Sequence, residues 1–494
     1  MLNAPRVYAL TVLAAERSNR EIRHADVAPL KRVCHVLANR KSIATKRSFR
    51  VHAGVVISGS TDFDSPPRRK GMTMRSKITS YALGIGAGLC AVVAAAGYAH
   101  GHDHDGDRGD DARIQLGPRP YYLVDGMDDG PLKAKLEQCK NGPFHRSDFS
   151  IGHRGAALQF PEHTKEAYNA GARMGAGIVE CDTTFTKDGD LVCRHDECDL
   201  ATTTNIVATD LNAKCTVPWS GPNQSPPPKC CTSDLSLAEF KSLRGKMDAS
   251  VPSATTPQGF LGGTPSWRTD LNTGRGTLMT LKESIALNEA NGVKHTPELK
   301  AGNPDRIGAI FGSQEAFAQR MIDTLRAAHV NPERVFLQSF NLDDVLYWVK
   351  FAPEFGRQAV YLDDIDPTAT PPIPGLTPEE LRDIRRQGVR IFAPPFPALL
   401  AVDANGNVVP SQYAKDIKRA GLQIITWTFE RADLRAGAAN AGFYYYFDPQ
   451  GIAIKKDSDM YKALDALARK VGILGIFSDW AATVTYYANC MGLK

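Results

Sequence analysis

Short apolar runs alternate along most of this chain with longer stretches in which apolar positions recur every three or four residues. The first pattern fits buried strands and the second amphipathic helices. Strands are predicted over Phe149–His153 and Ile178–Asp182, the second with a hairpin companion at Leu191–Arg194, and helix Thr164–Met174 lies between them. From residue 280 the alternation continues with helix Thr280–Asn291, strand His295–Lys300, helix Ser313–Ala328, strand Val335–Gln338, helix Leu342–Phe351 and strand Gln358–Leu362. Helix Pro378–Gln387, strand Arg390–Ala393, helix Gln412–Ala420, strand Leu422–Thr426, helix Asp459–Lys470 and strand Ile473–Phe477 complete it. Helix starts are marked by the capping boxes Ser236–Glu239 and Thr280–Glu283, and by Thr377 ahead of Pro378. With the hairpin companion set aside, eight strands are separated by helices, which predicts an α/β fold of the (β/α)8 TIM-barrel type. A doubly wound open sheet is the competing arrangement, but no Gly-rich phosphate loop supports it.

Between residues 198 and 275 the pattern loosens into Pro-, Ser- and Thr-rich chain, read as an insertion after the second strand, on the catalytic face and with little apolar core of its own. It holds Cys198, Cys215, Cys230 and Cys231, which with Cys139, Cys181, Cys193 and Cys490 give an even count once Cys34 and Cys90 are set aside. No paired zinc-type spacing is present, so disulfides are expected, with the pairing open.

The amino-terminal part divides by composition. Residues 74–99 have a basic start, an apolar Gly/Ala-rich run and small residues, the pattern of a secretory signal peptide cleaved after Ala96 or Ala99. That predicts an exported protein, periplasmic or extracellular, with no stable membrane anchor after cleavage. Residues 1–73 are read as a non-native or disordered extension, 100–120 as a His/Asp-rich linker and 121–494 as the barrel domain. Residues 1–77 carry a net +11, so the +5 of the whole chain leaves −6 for the rest. A nucleic-acid partner has no support in that body. No pattern assigns an oligomeric state.

In a barrel, reactive groups collect at the carboxyl ends of strands. His153, Glu180, Asp182, Glu298, Gln338, Trp427 and Asp479 all fall at such ends. Glu180 and Asp182 are two apart, so an extended chain points both the same way. Forced together, such a pair calls for a cation between them, and hard oxygen ligands favour Ca²⁺ or Mg²⁺; on an edge strand the two would instead be solvated separately. His153 and His195, each ending an apolar run, have the makings of an acid and a base.

The order His153-Arg154-Gly155, Pro161-Glu162-x-Thr164, Glu180-x-Asp182, Thr186-x-Asp188-Gly189 and His195-Asp196 resembles the glycerophosphodiester phosphodiesterase family. The resemblance spans about Phe149 to Trp480, is weakest over 198–275 and 431–457, and departs at His163, where the family usually has Asn beside the matched Glu162. It implies metal-dependent hydrolysis of a small glycerophosphodiester to glycerol 3-phosphate and an alcohol. Glu180, Asp182 and Glu298 would hold one divalent cation, and Arg154 and Lys300 would neutralise phosphoryl charge. His153 and His195 would exchange protons; Glu162, Gln338 and Trp427 would contact substrate; Asp479 is expected to be structural. Two other readings stay open: phospholipase D-like or C-like action on (lyso)phospholipids, and a secreted phosphate-binding protein without catalysis. The aromatic run Phe443–Phe447 is either a lipid path or a buried loop cluster.

Overall fold

Alternate side chains of a strand face opposite ways, and this parity organises the molecule. In the computed structural model, which describes residues 114–271 and 273–493, eight parallel strands form a closed ring: β1 (Ser147–Gly152), β2 (Ala176–Phe185), β3 (Lys294–Leu299), β4 (Gln338–Ser339), β5 (Val360–Leu362), β6 (Ile391–Ala393), β7 (Gln423–Phe429) and β8 (Gly475–Ser478). Each pairs with its neighbours in sequence, and β1 closes the ring by pairing with both β2 and β8. Leu191–Cys193 adds to β2 as the antiparallel hairpin companion. Helices stand between the strands, so the fold is the TIM-type barrel. The expected extension and signal segment, and the linker up to residue 113, lie outside the described residues.

Ile151, Ile178, Val360, Leu362, Ile391, Ala393, Ile425 and Phe477 form one buried apolar cluster inside the ring. Two residues further along the same strands, with the same parity, stand His153, Glu180, Trp427 and Asp479, and Asp182 is two beyond Glu180. The barrel is therefore plugged by hydrocarbon below and lined by reactive groups above. The larger apolar cluster fills the space between strands and helices.

The expected helices and strands are present with ends moved by a few residues, and several further elements have no readable signal in the sequence. The helix expected over Asp459–Lys470 is α-helical only over Met460–Asp465 and continues as a wider π turn, Ala466–Val471. Helix Ala481–Met491 is buried nearly all round, which erases the one-sided periodicity that marks a surface helix. It is covered by helices Arg119–Asp125 and Pro131–Gln138, with Tyr121 and Tyr486 edge to face at 5.3 Å. Helix Pro304–Phe311 and the hairpin Leu400–Val402/Val408–Pro410 are likewise additions to the expected pattern.

The insertion corrects the expectation of a region with little core. Leu200, Ile206, Val207, Leu235, Phe240, Leu243 and Phe260 bury together with Val192 and Leu278 of the adjoining chain. They come from short helical turns, one or two residues each, so no period exposes them in the sequence. Disulfides Cys198–Cys231 and Cys215–Cys230 tie this unit internally, while Cys181–Cys193 ties β2 to its hairpin companion and Cys139–Cys490 joins the two ends of the domain.

Candidate active site

Strand register brings the acids together. Asp182 lies opposite Glu298, and Glu298 opposite Gln338. Oxygens of Glu180, Asp182 and Glu298 fall within 4.8 Å of one another, and all three residues are buried. Gln338 Nε2 donates to Glu180 Oε1 at 2.9 Å, and the backbone N–H of Arg154 donates to Glu180 Oε2 at 2.9 Å. Lys300 Nζ stands 2.6 Å from Glu298 Oε1, and His163 Nε2 2.9 Å from Asp182 Oδ2. Asp182 Oδ1 is buried with no hydrogen-bond partner.

Crowded carboxylates in a dry site resist ionising together. Burial, reinforced by Asp182 and Glu298, holds Glu180 well above the usual carboxylate range. Burial also pushes Glu298 up to about 7, with Asp182 adding to it and Lys300 opposing. Asp182 goes the other way: burial works against its charge, but His163, Lys300 and Arg154 hold it well below the ordinary value. An all-oxygen donor set with one orphaned oxygen fits a hard divalent cation, which would relieve the repulsion directly.

The turn after β1 aims the next groups. Arg154 adopts φ 51° and Gly155 φ 93°. A Cβ on Gly155 would come within 2.6 Å of the Ala167 backbone, so only glycine lets the turn press against the following helix. The curl turns the Arg154 N–H onto Glu180, while its side chain donates from NH1 to Glu162 Oε2 at 2.7 Å and passes 3.7 Å from Asp182 Oδ2.

His153 Nδ1 lies 2.5 Å from Asp479 Oδ1, and its Nε2 is 3.8 Å from Glu180 Oε2. Burial outweighs Asp479 and lowers the ring's pKa to about 4. His195 is pushed well below the ordinary histidine value by burial, then by Arg154 and Lys300. Both imidazoles, the three acids, Arg154, Lys300, Gln338 and Trp427 line one cavity of about 260 Å³. Its apolar wall is Phe340, Leu362, Trp427, Tyr444 and Phe477. Trp427 is held by its Nε1–H to the Ala393 carbonyl at 2.9 Å and stacks on Phe443. The rest of the 443–447 run is largely a loop cluster: Phe396 packs against Tyr444, Tyr445 and Phe447, and among these rings only Tyr444 reaches the cavity.

Glu162 does not line this cavity. Burial opposes its charge, but Arg154, Arg194 and Arg431 hold its carboxyl far below the usual range. His163, the departure from the family's usual Asn, adopts φ 54° and bonds both Asp182 and, at 3.0 Å, the Tyr168 hydroxyl. With Nε2–H on the carboxylate, Nδ1 is the acceptor for the tyrosine hydroxyl, a tautomer assigned from the network.

Sequence reasoning missed a chain of partners behind His153. Arg431 donates from NH1 to Asp479 Oδ2 at 2.9 Å and from NH2 to Asp248 Oδ2 at 3.1 Å. Arg268 NH2 meets the other Asp248 oxygen at 2.6 Å. Arg431 sits two positions past β7, a strand-end position that could have flagged it; Asp248 lies in the insertion, where no pattern points to it. Asp479, expected to be structural, contacts His153 directly.

The family model of glycerophosphoryl diester phosphodiesterases matches residues 153–483. An extracellular protein of Arthroderma benhamiae is 43% identical over 251 residues, half of this chain and the whole of that one. A glycerophosphodiester phosphodiesterase of Arabidopsis thaliana is 23% identical over 395 residues, covering 75% of this chain and 91% of its own. Among solved structures, an Oleispira antarctica phosphodiesterase in complex with its product sn-glycerol-3-phosphate shares 18% identity over 69% of this chain and 96% of that chain, with a TM-score of 0.42. The family match runs from His153 at the mouth of β1 to Thr483 just past β8, and the chain belongs to the glycerophosphoryl diester phosphodiesterase family and is an enzyme of that class.

Proposed function

We propose that this enzyme hydrolyses small glycerophosphodiesters to glycerol 3-phosphate and an alcohol, at the cavity above the apolar plug. The observation that carries the reading is the convergence of Glu180, Asp182 and Glu298 within 4.8 Å, in a cavity also lined by His153 and His195. Glu180, Asp182 and Glu298 are assigned as ligands of one divalent cation, Ca²⁺ or Mg²⁺, which when bound polarises a phosphoryl oxygen. Arg154 and Lys300 face the same cavity and are suited to balance negative charge on the phosphoryl oxygens as the attacking atom adds. Gln338, through its bond to Glu180, keeps that carboxylate turned into the site. Trp427 and Phe340, set edge to face at 5.9 Å, form an aromatic corner for the carbon skeleton of the glycerol.

The two imidazoles divide the proton transfers. Asp479 accepts from Nδ1 of His153, which leaves Nε2 as that ring's proton acceptor and offsets the charge the ring gains. This is the relation of carboxylate to base in hydrolytic triads. His153 is therefore assigned as the base toward the attacking hydroxyl. His195 lines the same cavity and is assigned to the other transfer, as the acid toward the leaving alcohol. Each transfer is worth roughly 10²–10⁴-fold.

Export is proposed with the activity. Four disulfides fit an oxidising compartment, and no helix of the described residues is long and apolar enough to cross a membrane. The test is product analysis by ³¹P NMR on a panel of glycerophosphodiesters, with chelator and with Ca²⁺ or Mg²⁺ restored. Cation-dependent release of glycerol 3-phosphate is expected; full turnover in strong chelator would remove the metal assignment, and release of another phosphate ester would remove the proposed product.

A further inference from the structure

Beside the reactive cavity is a second one of about 390 Å³, which the proposed chemistry leaves unused. Arg154 and His195 line both. An occupant of the second cavity is thus adjacent to the residue assigned to protonate the leaving alcohol.

This second cavity is a built one. Glu162 and Arg431 supply its barrel side, and the insertion supplies Asp199, Thr202, Asp248 and Ser250. Lys246, only 3% exposed, fixes the insertion side by donating to the carbonyl oxygens of Thr202 at 2.6 Å, Met247 at 2.6 Å and Ala249 at 2.5 Å. Arg431 and Arg268 pin Asp248 from two directions. The wall is therefore in place before any ligand arrives, and little ordering remains to be done on binding.

Its chemistry is selective. No Phe, Tyr or Trp lines it, and Ala249 is its one aliphatic residue. A quaternary ammonium is recognised by aromatic faces, which stand in the first cavity instead. An acyl chain would cover Asp199, Thr202 and Ser250 with hydrocarbon and offer their remaining lone pairs no donor. Hydroxyl groups match, because each can donate and accept. The hydroxyls of Thr202 and Thr203 already donate to the Asp199 carbonyl at 3.0 Å, so their lone pairs are what they offer a ligand. The Asp199 carboxylate accepts from the Asp196 N–H at 3.3 Å and shares the one Thr203 hydroxyl hydrogen at 3.2 Å, and its remaining lone pairs can accept from a ligand hydroxyl.

We infer that the second cavity receives the departing alcohol, and that the preferred substrates are glycerophosphodiesters whose head group is a small polyol or sugar. This inference rests on the activity proposed above and adds the substrate class. It is tested by measuring kcat/KM for glycerophosphoinositol, glycerophosphoglycerol, glycerophosphoethanolamine and glycerophosphocholine on the full chain with its cation. The polyol diesters are expected to lead glycerophosphocholine by about tenfold or more, as a site built for hydroxyls discriminates against ligands lacking them. In Thr202→Val, and separately in Ser250→Leu, the inositol-to-choline ratio is expected to fall about tenfold. A ratio taken on one preparation does not depend on the fraction folded. Equal rates across the panel, a lead for either amine, or unchanged ratios in both variants would overturn the inference while leaving the diesterase reading intact. Absence of turnover on every diester would overturn both.

Discussion

The sharpest test of the His153 assignment is Asp479→Asn. Asp479 is fully buried; one oxygen lies 2.5 Å from His153 Nδ1 and the other accepts from Arg431 at 2.9 Å. An amide has the same shape but only one accepting atom. A guanidinium can only donate, so the amide oxygen must face Arg431 and the NH₂ must face His153. Nδ1 then becomes the acceptor, the ring proton moves to Nε2, and the base is blocked by its own tautomer. The expected loss is that of the proton transfer, about 10²–10⁴-fold in kcat, or roughly 3–5 kcal/mol at 1.36 kcal/mol per decade. KM is expected to change little, because Asp479 does not line the substrate cavity. The assay is steady-state release of glycerol 3-phosphate, with thermal unfolding as a control, since Arg431 keeps its Asp248 partner. A variant within fivefold of the native kcat, or one whose whole defect is in KM, would refute the assignment.

Other outcomes follow from the same geometry. The folded pKa of Glu298 is raised, from an ordinary 4.5 to about 7. The metal-free folded protein therefore holds a proton there that the unfolded chain has lost, and this residue's contribution to stability falls as pH rises from about 4.5 through about 7. The effect is on the order of 3 kcal/mol; urea titrations in chelator are expected to show it in the native protein and not in Glu298→Gln, and coincident pH profiles would count against the crowded-acid account. His163→Ala removes a partner of Asp182 and of the Tyr168 hydroxyl, with an expected drop in cation affinity of about 10–100-fold by calorimetry; His163→Asn is expected to recover most of it, and unchanged affinity in the alanine variant would show that His163 does not position Asp182. Under denaturing, non-reducing conditions, thiol titration of residues 114–493 is expected to find no free thiols among the eight paired cysteines, whereas eight reactive thiols would dismiss the bridges.

What the sequence exposed and what it hid divide along physical lines. Position at the carboxyl ends of short apolar strands assigns Glu180, Asp182 and the residues at 153, 298, 338 and 427 to one end of a barrel, and two-residue spacing puts Glu180 and Asp182 on one face. Short apolar strands between amphipathic helices are legible too. Helix Ala481–Met491 is not, because burial on nearly every side leaves no polar face to set the period. The insertion core is not, because its residues come from separate turns. The partners of His153 are hidden for a third reason. Asp248, Arg431 and Asp479 are 183 and 48 residues apart along the chain, and only closure of the ring and folding of the insertion over it bring them into line.

That line also holds the mouth of the site. Arg431 joins a carboxylate of the insertion to one of the barrel, so lifting the insertion would break the buried Arg431–Asp248 pair, although Arg431 would keep Asp479 and Asp248 would keep Arg268. The insertion acts as a fixed roof on that side of the mouth. The aromatic wall is held as well, Trp427 by its bond to the Ala393 carbonyl and Phe340 under the Lys300 ammonium at 5.6 Å, so both walls of the mouth are in place before substrate arrives.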